Sequence, residues 1–325
     1  MSRPLRWGLL GTGTIASLFA EDLVHCDEGT CAAVASRSSE RAEAFAEAHR
    51  TEHAFASYDA LIASDAVDIV YIGTPHPFHA AQALQCIEAG KPVLVEKPFA
   101  MSAAEADKVR RAAQRAGVFA MEAMWTAFIP AVQRALVLVE QQTLGALQTV
   151  RADLSVRRPF DAAHRLYDPD LGGGVLLDLG VYAVWWAHRL LGTPASCTVD
   201  ATCGATGVEE DVTATLSYNK GREAVLTTSF REQGTRLAHA TGTNGTLRLH
   251  APWWHGQALS LTGRSVDTET YDHSFAGHGY HFEAQHVHEC LREGRTESPV
   301  LPLADTVAVL HTLDEMRATI GLEPW

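Results

Sequence analysis

Lys97, Asp178 and Tyr182 stand where side chains of their type can do chemistry. Lys97 lies in Glu96-Lys97-Pro98, directly after the apolar run Val93-Leu94-Val95. That run follows a helical stretch closing on Gly90 and reads as a short buried strand. A lysine just past the carboxyl end of such a strand sits where open α/β sheets bind ligands. Glu96 is placed to hold the ammonium, and Pro98 fixes the turn and suits a cis bond. Asp178 and Tyr182 are four apart in a stretch, Gly172 to Trp186, that is apolar nearly all round. The pattern predicts a buried helix with both residues on one face. A carboxylate there needs a hydrogen-bond partner or a changed pKa. Plainer roles remain open: a surface lysine before a proline, and an aspartate bonded locally beside a core tyrosine.

The elements that must carry Lys97 begin at the amino end. Leu5 to Leu10 reads as a buried strand, followed at once by Gly11-Thr12-Gly13-Thr14-Ile15-Ala16 and a helix to about Val24. This is a dinucleotide fingerprint in its strand–turn–helix setting. Gly11 allows the tight turn, Gly13 the approach of a pyrophosphate, and Ala16 close packing. Thr14 and Ile15 open the helix whose amino end faces the phosphates. The second strand, Cys31 to Ala35, ends in Ser36-Arg37-Ser38 where an acidic residue would suit NAD(H). Hydroxyls and a guanidinium suit a 2′-phosphate, so NADP(H) is preferred and NAD(H) stays possible. The other reading of Arg37 is a solvated loop residue.

Helix and strand then alternate. Ser38 or Ser39 caps a helix through Arg50, and Val67 to Ile72 is a strand. Gly73 to His79 is the loop at its end, and Ala80 to Ala89 is a helix. Thr74, His76 and His79 are read as lining the crevice near the nicotinamide; backbone-bonded loop histidines are equally open. The HxxH spacing has no acidic or cysteine partner nearby, so no metal is assigned. Ser102-Ala103-Ala104-Glu105 reads as a capping box opening a helix to Gly117, before a strand at Val118 to Met121.

Beyond Glu122-Ala123-Met124-Trp125-Thr126 the pattern changes. A helix is expected over Pro130 to Gln142 and a strand over Gln148 to Val156. A polar loop follows, Arg157 to Asp170, with Arg158 and Arg165 in it. Strands are expected at Asp211 to Tyr218, Glu223 to Phe230 and Thr246 to His250, and helices at His281 to Glu293 and Leu303 to Ile320. The fold class is therefore α/β. A Rossmann domain at 1–123 precedes an α+β domain at 124–325 with an open, mostly antiparallel sheet. One face of that sheet would be uncovered in a monomer, which predicts a homodimer or homotetramer through it. His278, His281, His286 and His288 do not share a helical face cleanly, so again no metal is assigned. Trp253 and Trp254 either pack or wall a cleft.

Bulk properties exclude other classes. The 325 residues are 46% hydrophobic and 20% charged, ordinary for a globular chain of two domains. A net charge of −13 without a basic patch argues against nucleic acid. The six cysteines are scattered, which fits reduced thiols in a cytoplasm. The sequence shows no signal peptide and no apolar run of membrane length.

The order of the fingerprint, Glu96-Lys97-Pro98, Met121 to Trp125, and Gly172-Gly173-Gly174 through Asp178 and Tyr182 resembles the glucose–fructose oxidoreductase, inositol dehydrogenase and MocA family over essentially the whole chain. It is most similar to the branch with dimeric dihydrodiol dehydrogenase and NADP-dependent xylose dehydrogenase, because the motif ends in tyrosine. The resemblance implies that Lys97 and Tyr182 are the catalytic pair, that Asp178 supports them, and that Trp125, Trp254 and Arg165 line the substrate cleft. It implies an NADP(H)-dependent oxidoreductase moving hydride to or from a sugar or related polyhydroxy compound. Two other readings stand beside it. One is a cofactor-assisted glycosidase. The other is a non-enzymatic NADPH sensor, which has no need of Lys97, Asp178 and Tyr182 together.

Overall fold

The computed structural model describes residues 3–263, 268–323 and 325. The chain divides into two compact units. The first comprises Met1–Ala100, Ala104–Trp125 and Ala276–Thr306; the second comprises Met101–Ala103, Thr126–Phe275 and Val307–Trp325.

The first unit alternates strand and helix: β1 (Leu5–Leu10), α1 (Thr14–Asp22), β2 (Gly29–Ala35), α2 (Ser39–His49), β3 (His53–Phe55), α3 (Tyr58–Ile62), β4 (Ile69–Ile72), α4 (His79–Glu88), β5 (Val93–Glu96), α5 (Ala103–Ala116) and β6 (Ala120–Ala123). The strand order is β3-β2-β1-β4-β5-β6, with every pair parallel. The chain enters in the middle and winds to either side, so the order reverses between β1 and β4. Ligands bind at that switch point, beyond the carboxyl ends of the strands. The residues of β4, β5 and β6 are all buried, as expected of a sheet covered on both faces.

The segment 276–306, which the sequence division assigns to the second domain, packs in this first unit. Its helix is α8 (Tyr280–Arg292). Asp22, 1% exposed at the end of α1, fixes the start of α8. Its carboxylate accepts from the backbone N–H of His278 at 2.7 Å and of Tyr280 at 2.8 Å. These bonds satisfy donors that a helix start leaves unpaired. The α8 histidines have structural partners. His288 accepts from the Trp7 indole at 2.9 Å, and His286 bonds the Ser298 hydroxyl at 2.7 Å. Among the described residues no group of His, Cys, Asp and Glu could hold a metal ion.

The second unit holds the remaining strands: β7 (Leu147–Ser155), β8 (Ser196–Cys203), β9 (Glu209–Tyr218), β10 (Arg222–Ser229), β11 (Ala238–Gly242), β12 (Gly245–Leu249), β13 (Ala258–Gly263) and β14 (Glu269–Asp272). Their order is β14-β13-β12-β11-β7-β10-β9-β8; only the β7–β10 pair is parallel. Helices α6 (Pro130–Glu140), α7 (Val181–Leu191) and α9 (Leu303–Thr319) complete the fold. α7 packs on β7 and β10, and α6 on β12 and β13. Burial alternates along β9: Val212, Ala214 and Leu216 face the helices, while Thr213, Thr215 and Ser217 face outward and are partly exposed. The outward face is thus rich in threonine rather than apolar. No helix among the described residues is long and apolar enough to cross a membrane.

Candidate active site

At the switch point Gly11 has φ of +106°, a conformation that costs glycine nothing. A Cβ there would come within 2.9 Å of the Gly73 carbonyl, so the β1 and β4 loops can meet only at glycine. Gly13 precedes α1, and a Cβ built on it meets nothing within 4 Å. The space in front of the helix start, where Thr14 and Ile15 stand, is therefore open. A glycine turn, free amide groups at a helix start and clear space fit a bound dinucleotide pyrophosphate. Beyond β2, Ser36 is 7% exposed, and its Oγ accepts from Ser38 N–H at 3.3 Å. The Arg37 guanidinium lies 5.9 Å from the centre of the Phe78 ring. Phe78 is 39% exposed, large and apolar, so it supplies a flat face at this loop. Its exposure could not be read from the His76-Pro77-Phe78 run alone.

Thr74 donates its hydroxyl to the Gln82 side chain at 2.6 Å. His76 is 6% exposed and His79 fully buried. His79 places Nδ1 at 2.8 Å from the Pro98 carbonyl and Nε2 at 2.7 Å from the Thr74 carbonyl. A carbonyl only accepts, so a neutral ring donates to one of them and a protonated ring to both. Either way His79 ties the β4 loop to the β5 loop.

The β5 loop is the Lys97 loop, and its backbone is gripped from several sides. The Lys97–Pro98 bond is cis. Glu96 accepts from the Lys97 backbone N–H at 3.1 Å and from the Tyr71 hydroxyl at 2.6 Å. Glu122, on neighbouring β6, accepts from the Phe99 N–H at 3.1 Å and from the Thr306 hydroxyl at 2.9 Å. Glu96 and Glu122 sit at the carboxyl ends of adjacent parallel strands and bracket Lys97-Pro98. Sequence reasoning missed Glu122. The readable signal was a glutamate directly after the apolar run Val118 to Met121; the strand in fact runs Ala120–Ala123 and buries it. Burial pushes its pKa up to about 7, against the pull of the Thr306 and Phe99 bonds, with Glu96 adding repulsion. Glu283, on α8, is buried with both oxygens lacking a hydrogen-bond partner among the described residues; burial drives its pKa well upward. Trp125 is 6% exposed and stacks on Tyr280, with ring centres 4.4 Å apart.

In the second unit the stretch carrying Asp178 is not one regular helix. Leu176–Gly180 forms a π-helical turn, and α7 starts at Val181. Such turns recur at functional sites. Asp178 is 6% exposed and Tyr182 5% exposed. Arg165 donates to the Asp178 carboxylate at 3.2 Å, so the polar loop supplies the partner that a buried carboxylate requires. The Trp254 carbonyl accepts from the Thr126 hydroxyl at 2.6 Å, and Trp253 is fully buried with its indole donating to the Asp153 carbonyl at 3.1 Å. Of the two tryptophans, Trp253 is the packing residue. In the loop from Trp253 to Tyr280, residues 264–267 lie outside the described ones.

Residues 5–124 match the family model described as an oxidoreductase family with an NAD-binding Rossmann fold. Residues 132–248 match the GFO/IDH/MocA C-terminal domain. The chain belongs to the GFO/IDH/MocA oxidoreductase family. It is 36% identical to trans-1,2-dihydrobenzene-1,2-diol dehydrogenase of Bos taurus, over 98% of this chain and 97% of that one. Two solved structures share its fold. Levoglucosan dehydrogenase, in complex with NADH and levoglucosan, has a TM-score of 0.89 at 19% identity, with 98% of each chain covered. A 3-ketoreductase from Actinomadura kijaniata, in complex with NADP and TDP-benzene, has a TM-score of 0.84 at 24% identity, also with 98% of each covered. The first match spans Gly11, Gly13 and the Lys97 loop, and the second spans Asp178, Tyr182 and strands β7 to β11.

Proposed function

We propose that the protein is an NADP(H)-dependent dehydrogenase of a hydroxyl-bearing carbon in a sugar or related polyhydroxy compound. The observation that carries this reading is the grip on the Lys97-Pro98-Phe99 loop at the carboxyl end of the first sheet, by Glu96 at the Lys97 N–H, His79 at the Pro98 carbonyl and Glu122 at the Phe99 N–H. A lysine held so firmly beside a dinucleotide crevice is suited to orient a reacting oxygen. The full-length likeness to a dihydrodiol dehydrogenase supports an alcohol as the substrate.

Gly11, Gly13, Thr14 and Ile15 would hold the pyrophosphate, with Thr74, His76 and His79 toward the nicotinamide. Ser36 and Arg37 would hold the 2′-phosphate. The fold relatives carry NADP in one case and NADH in another, so the preference for NADP rests on Ser36-Arg37-Ser38. When bound, the nicotinamide supplies a hydride acceptor or donor. The residues of this chain manage the proton. Tyr182 takes it from the substrate hydroxyl in oxidation and returns it in reduction. A free phenol titrates near 10, and an ammonium within hydrogen-bond range favours the phenolate. In this reading Lys97 is the ammonium that bonds the substrate oxygen as charge develops on it. Asp178, paired with Arg165, orients Tyr182, and Trp125, Trp254 and Arg165 are the residues this reading assigns to substrate contact.

Lys97→Met and Tyr182→Phe are each expected to lower kcat by about 100-fold or more while the Kd for NADPH stays within a few-fold. Stopped-flow turnover with fluorescence titration of NADPH checks this. Near-normal kcat in both variants contradicts it. In the same reading the chain works in a cytoplasm with its six cysteines as thiols. It pairs with a second copy through the outward face of the second sheet.

A further inference from the structure

Glu209, the first residue of β9, is a fully buried carboxylate far in sequence from the motifs above. One of its oxygens accepts from the Leu176 backbone N–H at 3.3 Å, and the other from the Arg317 guanidinium at 3.2 Å. Leu176 opens the π-helical turn that carries Asp178 and leads into Tyr182. An N–H at the start of a helical segment has no partner within it. Glu209 supplies that partner, and its charge meets the positive end of the backbone dipoles.

The chain before the turn is shaped to let the carboxylate in. Gly174 has φ of +117°, and a Cβ there would lie 2.3 Å from a Glu209 oxygen. Any other residue would push the carboxylate off Leu176. Arg317 is fixed from its far side. Its guanidinium carbon lies 4.1 Å from the centre of the Trp325 ring, and its Nε donates to the Glu323 carbonyl at 2.5 Å. Burial raises the Glu209 pKa, and the Arg317 charge opposes that rise. A carboxylate this deep keeps its charge only with such a partner.

We infer that Glu209 and Arg317 form a brace that sets the position of the Leu176–Gly180 turn, and that both are positioning residues for proton transfer by Tyr182. The role of the turn in catalysis rests on the function proposed above. The contacts of the brace do not. The brace also gives a reason for glycine at Gly174 that the sequence motif alone does not.

The test uses the full chain with NADP present. Arg317→Met leaves a buried charge unpaired and can fail to fold, so Glu209→Gln combined with Arg317→Met is the second variant, which removes both charges. Arg317→Lys is the conservative control. Hydrogen exchange is followed for the backbone amides of residues 176–182. Turnover is assayed with trans-1,2-dihydrobenzene-1,2-diol, with a solvent isotope effect on kcat. The double variant is expected to exchange faster over 176–182. Its kcat should fall by on the order of 10- to 100-fold, with a larger isotope effect and an unchanged KM for NADP. Arg317→Lys should recover most of the loss. A population of misfolded molecules lowers kcat but leaves the isotope effect alone. Wild-type exchange in the double variant overturns the brace, and a loss of kcat without a change in the isotope effect overturns the positioning role in proton transfer. Tyr182→Phe, run in parallel, separates the two claims: if that variant turns over normally, the catalytic reading fails, and the exchange data alone then decide whether the brace exists.

Discussion

Lys97 was legible as a candidate from its position after a strand, but the reason it is held was not. Glu96 was expected to hold its ammonium; its carboxylate also accepts from the Lys97 backbone N–H and the Tyr71 hydroxyl, which spacing did not show. Glu122 on β6 and His79 at the start of α4 complete the grip through Phe99 and Pro98, and such pairings cannot be read from spacing along one strand. Glu122 yields a prediction at this scale. Its carboxyl titrates near 4.5 when exposed and at about 7 when folded. Between those values the folded chain keeps a proton that the unfolded chain has lost. Stability therefore falls as pH rises through that window, by about 3 kcal/mol in all. In Glu122→Gln the amide oxygen can still accept from Phe99 N–H, and the NH2 can donate to Thr306. The variant should gain stability relative to wild type as pH rises from 4.5 to 7, measured by urea unfolding at several pH values. An unchanged difference across that range would count against a protonated Glu122.

The strands and helices of the first unit were readable because period, glycine and caps agree. Leu5–Leu10 and the helix after Gly13 are one example, and the helix capped by Ser38 through a bond to Arg41 N–H is another. The π-helical turn at Leu176–Gly180 was not readable, because an apolar stretch buried all round shows no period from which a wider turn could be told. What the sequence did carry was Gly172-Gly173-Gly174, and Gly174 takes its meaning from Glu209, thirty-five positions on. The β2–α2 loop gives the test at this scale. Arg37→Glu is expected to raise KM for NADP by about 100-fold and to leave that for NAD within a few-fold, since one charge-assisted contact is lost and a repulsion gained. Equal changes for both cofactors would show that Arg37 is a solvated loop residue.

At the scale of the molecule, the return of α8 to the first unit was hidden because its anchor, Asp22, lies more than 250 positions away. The open sheet was foreseen, yet its outward face carries Thr213, Thr215 and Ser217 rather than apolar residues. A pairing through it would rest on hydrogen bonds and shape as much as on apolar burial. Light scattering should give the mass of a dimer or tetramer, and a charged substitution such as Thr215→Glu should reduce it to 35.2 kDa. A monomer in the wild type would contradict the pairing. The most direct test of the central claim is cofactor reduction followed at 340 nm with NADP and with NAD, over aldoses, inositols and diols, including trans-1,2-dihydrobenzene-1,2-diol. The account predicts reduction of NADP, faster than of NAD, by at least one of these classes. Tight binding of NADPH with no turnover in either direction, on these alcohols or their ketones, would contradict it.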